Sequence, residues 1–134
     1  MCEVSEPAET RLPNDKTAPG SARAFLREAA CEVHHAEVLG EAELLVSELV
    51  TNAVLHGAPP ITLRVECDGT RLRVSVTDRN SDPAYVRDAG PEDESGRGIR
   101  LVDFISDEWG VEPRLGEGKD VWFTIRNGEA APTP

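Results

Sequence analysis

The sequence predicts an α/β (α+β) two-layer sandwich: an antiparallel-rich mixed sheet with helices on one face. Three observations carry that expectation. Leu44 to Gly57, LLVSELVTNAVLHG, has the apolar period of a helix. From Ile61 the period switches to two, and two alternating runs flank Asp68-Gly69, a hairpin-turn signal. The order helix, helix, hairpin, long aperiodic stretch, helix, two strands sorts helices and antiparallel strands into separate layers.

The 134 residues suit one domain with a real core. A net charge of −11 argues against nucleic acid and against an anionic membrane as partners. A basic protein surface suits it better. Cys2, Cys31 and Cys67 have neither metal-knuckle nor redox spacing, and three thiols fit a reduced compartment. MCEVSEPAET lacks the pattern of a secretory signal, and no apolar run reaches membrane length, so a cytoplasmic protein is expected.

In chain order, residues 1–18 are rich in Pro, Glu and Thr without periodicity. They are expected to be a flexible tail, at best a short edge strand. The folded domain is expected over 19–126, with a second flexible tail at 127–134. Pro19-Gly20-Ser21 signals a helix start with Ser21 as N-cap. Ala22 to about His34 then reads as a helix with Ala22, Phe25, Leu26, Ala29, Ala30 and Val33 inward. His34 and His35 point about 100° apart on a helix and do not chelate one ion together. Residues 36–40 read as a connection, and the central helix as running from Glu41 to a Gly57 C-cap, with Pro59-Pro60 forbidding its continuation.

The strands follow as Ile61–Cys67 and Leu72–Thr77, the second ending at Asp78. Residues 79–94, RNSDPAYVRDAGPEDE, show no period and suit a lid or plain disorder. Ser95-Gly96-Arg97-Gly98 leads into a short amphipathic helix over 99–105. Residues 109–111 read as a strand, 113–118 as a turn, and Val121–Ile125 as the closing strand.

The chemistry concentrates on the central helix. Ala42, Val46, Leu49, Val50, Ala53 and Val54 form one apolar stripe. Glu48, Asn52 and His56, spaced i, i+4, i+8, stack on another that Leu44, Leu45 and Leu55 make partly apolar. Taken singly, a helical Glu or Asn is most simply a solvated residue. On a half-buried face the three are costly unless they bind something.

Asp78 at a strand end and the Gly96-x-Gly98 step complete a set with uses toward a nucleotide. The Asn52 carbonyl oxygen suits Mg²⁺. Glu48 could deprotonate an attacking hydroxyl or water. Asp78 could accept from an exocyclic amine. Glycines opening a helix expose N–H groups to phosphate. No G-x-x-x-x-G-K-[ST], G-x-S-x-G or H-E-x-x-H occurs.

This ordered set resembles a known family. Glu48-Leu-Val-Thr-Asn52-Ala-Val-Leu-His56-Gly57 resembles the N box of the GHKL (Bergerat-fold, HATPase_c) ATPases. Val76-Thr-Asp78 resembles the strand end of their first glycine box, and Glu94-Ser-Gly96-Arg-Gly98-Ile-Arg-Leu-Val102 the second. Asp107-Glu-Trp-Gly110 and Gly118-Lys-Asp-Val-Trp-Phe123 resemble the closing strands of the anti-sigma-factor serine kinases of the SpoIIAB/RsbW type. The resemblance spans about residues 20–126.

It implies ATP and Mg²⁺ as ligands, Glu48 as general base and Asn52 as Mg²⁺ ligand. It implies Asp78 on the adenine amino group, His56 beside the nucleotide, and Gly96, Arg97 and Gly98 around the phosphates. It further implies a sigma factor and a STAS-type anti-anti-sigma protein as partners, serine phosphorylation of the latter, and a homodimer. Two positions depart from the family pattern. Asp78-Arg-Asn-Ser-Asp82 lacks the usual glycines, and Asp120 stands where a Thr helps to anchor adenine. A carboxylate at 120 is expected beside Asp78, where two like charges would raise one pKa or weaken binding. Two readings follow: a Mg-ATP-dependent protein-serine kinase, or a partner-sequestering module of the same fold with weak or lost nucleotide binding.

Overall fold

The computed structural model describes residues 7–29, 32–67, 71–80, 105–114 and 118–126. Strands β1 (Ala8–Leu12), β2 (Ile61–Cys67), β3 (Arg71–Asp78), β4 (Glu108–Arg114) and β5 (Gly118–Arg126) form one sheet in the order β1-β2-β3-β5-β4. Every neighbouring pair is antiparallel, so the sheet expected to be mixed has one sense of pairing throughout. Helices α1 (Ala18–Ala29) and α2 (Glu32–His56) supply the second layer.

The period-two pattern decides which side of the sheet they cover. Ile61, Leu63 and Val65 of β2, Leu72, Val74 and Val76 of β3, and Val121, Phe123 and Ile125 of β5 all point inward. They meet Ala22 and Leu26 of α1 and Ala42, Leu45, Val46, Leu49, Val50 and Ala53 of α2 in one core. Leu45, expected on the ligand stripe, is fully buried, while Leu44 and Leu55 are 42% and 60% exposed. Two contacts staple α1 to α2: the Arg23 guanidinium donates to the Ser47 hydroxyl at 2.8 Å, and Arg27 pairs with Glu43 at 2.9 Å.

Several boundaries differ from the sequence expectation. Residues 8–12, within the expected tail, form edge strand β1, in register from Ala8 opposite Val65 to Leu12 opposite Ile61. Pro7 and Pro13 flank it and stop its extension. Helix α1 begins at Ala18 rather than after Ser21, because a proline in the first turn removes only an N–H with no intrahelical partner. The Ser21 N–H donates to the Thr17 carbonyl at 3.1 Å, which makes Thr17 the cap position. The Asp15 carboxylate accepts from the Thr17 hydroxyl and N–H, bonds that hold its carboxyl below the usual range.

Helix α1 ends at Ala29, not His34, and α2 begins at Glu32 and runs unbroken through Gly40. An interior glycine costs a helix about 1 kcal/mol. The buried run from Ala42 to Ala53 outweighs that cost. Pro113, expected in a turn, lies within β4, an edge strand where a missing N–H is tolerated. The lid at 79–94 (beyond Arg79 and Asn80), the glycine step with Gly96, Arg97 and Gly98, the helix over 99–105 (except Ile105) and the tail 127–134 lie outside the described residues. No helix among the described residues is long and apolar enough to cross a membrane.

Candidate functional site

The last three turns of α2 carry Glu48, Asn52 and His56. Glu48 and His56 are half-buried. Asn52 is only 3% exposed, and neither Nδ2 nor Oδ1 has a hydrogen-bond partner among the described residues. A buried polar group left unsatisfied costs about 1–3 kcal/mol. An amide with both ends bare is costly to this helix, and a bound water, ion or ligand at the site would satisfy it.

Asp78 ends β3 on the core face, beside the C-terminal end of α2. The Asn80 side chain donates to the His56 carbonyl at 2.8 Å, and the Arg79 N–H to the Ala58 carbonyl at 2.8 Å. These bonds tie the strand end to the helix end. They bring Asp78 onto the same side of the sheet as Asn52, which lies one turn back along α2. Two glycines make room for this contact. A Cβ on Gly57 would lie 2.5 Å from the Asp78 carboxyl carbon. Gly118, at φ +102°, would put a Cβ 1.9 Å from the Asp78 carbonyl oxygen. Gly118→Ala combines left-handed backbone strain with that clash and should lower stability by about 2 kcal/mol or more, read from a urea unfolding curve. A loss below about 0.5 kcal/mol would mean that the strand end relaxes freely, as at an ordinary surface site.

Sequence reasoning missed the residue that faces Asp78. Lys119 pairs with Asp78 across β3 and β5. Its ammonium donates to Asp78 Oδ1 at 3.1 Å and to the Asn80 carbonyl at 2.7 Å. Both side chains of this ion pair are 1% exposed. The same Oδ1 also accepts from the Asn80 N–H at 2.7 Å and the Ala58 N–H at 3.4 Å. A signal for Lys119 was present in the sequence. With Val121, Phe123 and Ile125 inward, period two puts residue 119 on the same face.

The same parity corrects the expectation for Asp120. It points to the opposite face of the sheet, so no like-charge conflict with Asp78 arises. There it accepts from the Thr77 hydroxyl at 2.5 Å, and Arg114 Nη1 lies 3.0 and 3.1 Å from its two oxygens. On that open face Arg73 also stacks over Trp122, 4.4 Å from the ring centroid. Of the residues expected to share one pocket, Glu48, Asn52 and His56 lie on α2, whose C-terminal end meets Asp78 at Gly57 and Ala58, and Asp120 is set apart on the other face. No cluster of three or more His, Cys, Asp or Glu side chains that could hold a metal occurs among the described residues.

Residues 12–125 match the model of the family described as the histidine kinase-like ATPase domain. The chain belongs to that family. Among curated proteins, this ATPase-family chain is 35% identical over 74 residues to the uncharacterized protein SCO4941 of Streptomyces coelicolor, a match covering 52% of this chain and 70% of that one. Among solved structures it is similar to the RsbU and RsbW domains of Rv1364c from Mycobacterium tuberculosis, at 22% identity and a TM-score of 0.62. That match covers 91% of this chain and 32% of the other. It is also similar to the histidine kinase domain of the Erythrobacter litoralis EL346 blue-light-activated histidine kinase, at 29% identity and a TM-score of 0.53, covering 69% of this chain and 46% of that one. The chain thus spans less than half of either solved structure. The five-stranded antiparallel sheet under two helices is the histidine kinase-like ATPase fold that these neighbours share.

Proposed function

We propose that this chain is an ATP-binding regulator of partner proteins, acting as a protein-serine kinase of the anti-sigma-factor type. The observation that carries the reading is the Asn52 carboxamide, buried with both polar atoms unpartnered among the described residues. Its Oδ1 would hold Mg²⁺, which when bound offsets negative charge on the transferring phosphoryl group. Glu48, one turn earlier, would take the proton of an attacking serine hydroxyl as the oxygen–phosphorus bond forms and ADP leaves. The acceptor serine would belong to an anti-anti-sigma protein, with a sigma factor as the alternative partner. The net charge of −11 suits a basic docking surface on either.

The test is a calorimetric titration of Mg-ATP into wild type and Asn52→Ala. Loss of the Mg²⁺ dependence, with affinity falling about tenfold or more, is the expected result. Equal affinity with an unchanged Mg²⁺ requirement would remove Asn52 from the site and the reading with it.

One observation favours the second reading, a module that sequesters its partner with weak nucleotide binding. The carboxylate proposed to read the base is already held by Lys119. A stoichiometric complex with a partner that forms equally well without ATP, and leaves no phosphoserine, would select it.

A further inference from the structure

Lys119 is a buried cation with no part in the phosphoryl transfer proposed for Glu48 and Asn52. An adenine recognised by Asp78 would approach with an exocyclic N–H donor. The structure already places a donor there: the Lys119 ammonium, 3.1 Å from Asp78 Oδ1. The same oxygen takes two backbone N–H groups, from Asn80 and Ala58. A carboxylate oxygen offers about two lone-pair directions, so Oδ1 has no acceptor capacity left for a base, and the other oxygen, Oδ2, lies against Gly57, where a Cβ would stand 2.7 Å from it.

The ammonium itself is anchored a second time, on the Asn80 carbonyl at 2.7 Å, and Asn80 is tied through its side chain to the His56 carbonyl. Lys119 is fully buried on the core face, so the charge cannot swing into water without vacating that layer. Gly57 lies against the Asp78 carboxylate, and Gly118 against the Asp78 main chain.

We infer that Lys119 is a resident occupant of the base subsite, its ammonium standing where the amino group of adenine would bind Asp78, so that wild-type protein does not read the base through Asp78 Oδ1. The inference rests on the nucleotide reading proposed above and refines it. The phosphates and Mg²⁺ are held at the Asn52 end, while the base end is closed by the chain itself. Two consequences follow. Affinity for ATP is weak, and ATP is poorly distinguished from GTP, because the group that would tell their bases apart is engaged.

Shortening the side chain opens the subsite. In Lys119→Thr, Asp78 is left without its cation, and adenine can supply the missing donor. Calorimetric titration with Mg-ATP and Mg-GTP should show ATP binding about tenfold or more tighter in Lys119→Thr than in wild type. The variant should also prefer ATP over GTP by a comparable factor where wild type shows little preference. ATP should raise the variant's melting temperature more than that of wild type. Equal and tight ATP binding by both proteins would overturn the inference and leave the nucleotide reading standing. No binding by either folded protein at millimolar ATP would overturn both.

Should Lys119→Thr fail to fold, the wild-type protein gives its own answer. The ¹⁵Nζ resonance of a buried, paired ammonium should stay in place through an ATP titration. A shift or loss of that resonance, saturating with the nucleotide, would show the ammonium displaced and would overturn the inference.

Discussion

Glu48→Gln should leave Mg-ATP affinity within about twofold of wild type and lower phosphoryl transfer by about 10²–10⁴-fold, the usual contribution of a positioned base. The two side chains have the same shape and differ in one respect: a carboxamide does not accept a proton at neutral pH. Glu48 and Asn52 are spaced i, i+4, so they are stacked one turn apart on α2. A hydroxyl brought near a phosphate at Asn52 is therefore within reach of the Glu48 carboxylate. Phosphate release with water as acceptor measures the effect without knowledge of the partner, and calorimetry on the same preparation reports binding. Loss of binding together with turnover would make Glu48 a structural residue of the pocket. Unchanged turnover would remove it from the base role and favour the sequestering reading.

The two halves of the site were not equally legible in the sequence. The helix half was, because the 3.6-residue period of residues 42–54 is unbroken, and three polar residues on a second stripe stand out against it. The core stripe is where the period puts it, with Ala42, Val46, Leu49, Val50 and Ala53 buried. The sheet half was read one residue out of step. Matching Gly118-Lys-Asp-Val-Trp to a motif assigned the pocket to Asp120. The pleat assigns it to Lys119, since a one-residue slip moves a side chain to the other face. The alternation from Val121 to Ile125 holds that information, since it fixes the face of residue 119 as well as the strand.

The early boundaries failed for other reasons. β1 is five residues long and wins its place through pairing with β2, a long-range contact that local composition does not reveal. The break between the helices was misplaced because Gly40 suggests an interruption that burial of the following turns overrides. Gly57 was expected as a helix cap. Its closeness to the Asp78 carboxyl depends on a strand end 21 residues further along the chain, which no local pattern encodes.

The largest stability effect is expected at the ion pair. Asp78→Ala should cost about 3–5 kcal/mol in urea unfolding, because it leaves the Lys119 ammonium buried without its counter-charge. That is a large share of the roughly 5–15 kcal/mol that holds a domain folded. Asp78→Leu combined with Lys119→Met should recover most of the loss, since well-packed apolar side chains replace a buried pair at little net cost. A double-mutant cycle over these variants isolates the coupling. A cost below about 1 kcal/mol for Asp78→Ala would indicate that water reaches the pair, as it does at surface salt bridges. That outcome would contradict the 1% exposure of both side chains.

The comparison between single and double variants also bears on why the pair is there. If two apolar residues hold the β3–β5 register as well as Asp78 and Lys119 do, the charges are not required by the fold. Their presence at the C-terminal end of α2, the helix that also carries an Asn52 amide unpartnered among the described residues, then belongs to the chemistry of the site. A double variant that is stable but no longer responds to Mg-ATP would separate what this corner of the sheet needs in order to fold from what it needs in order to act.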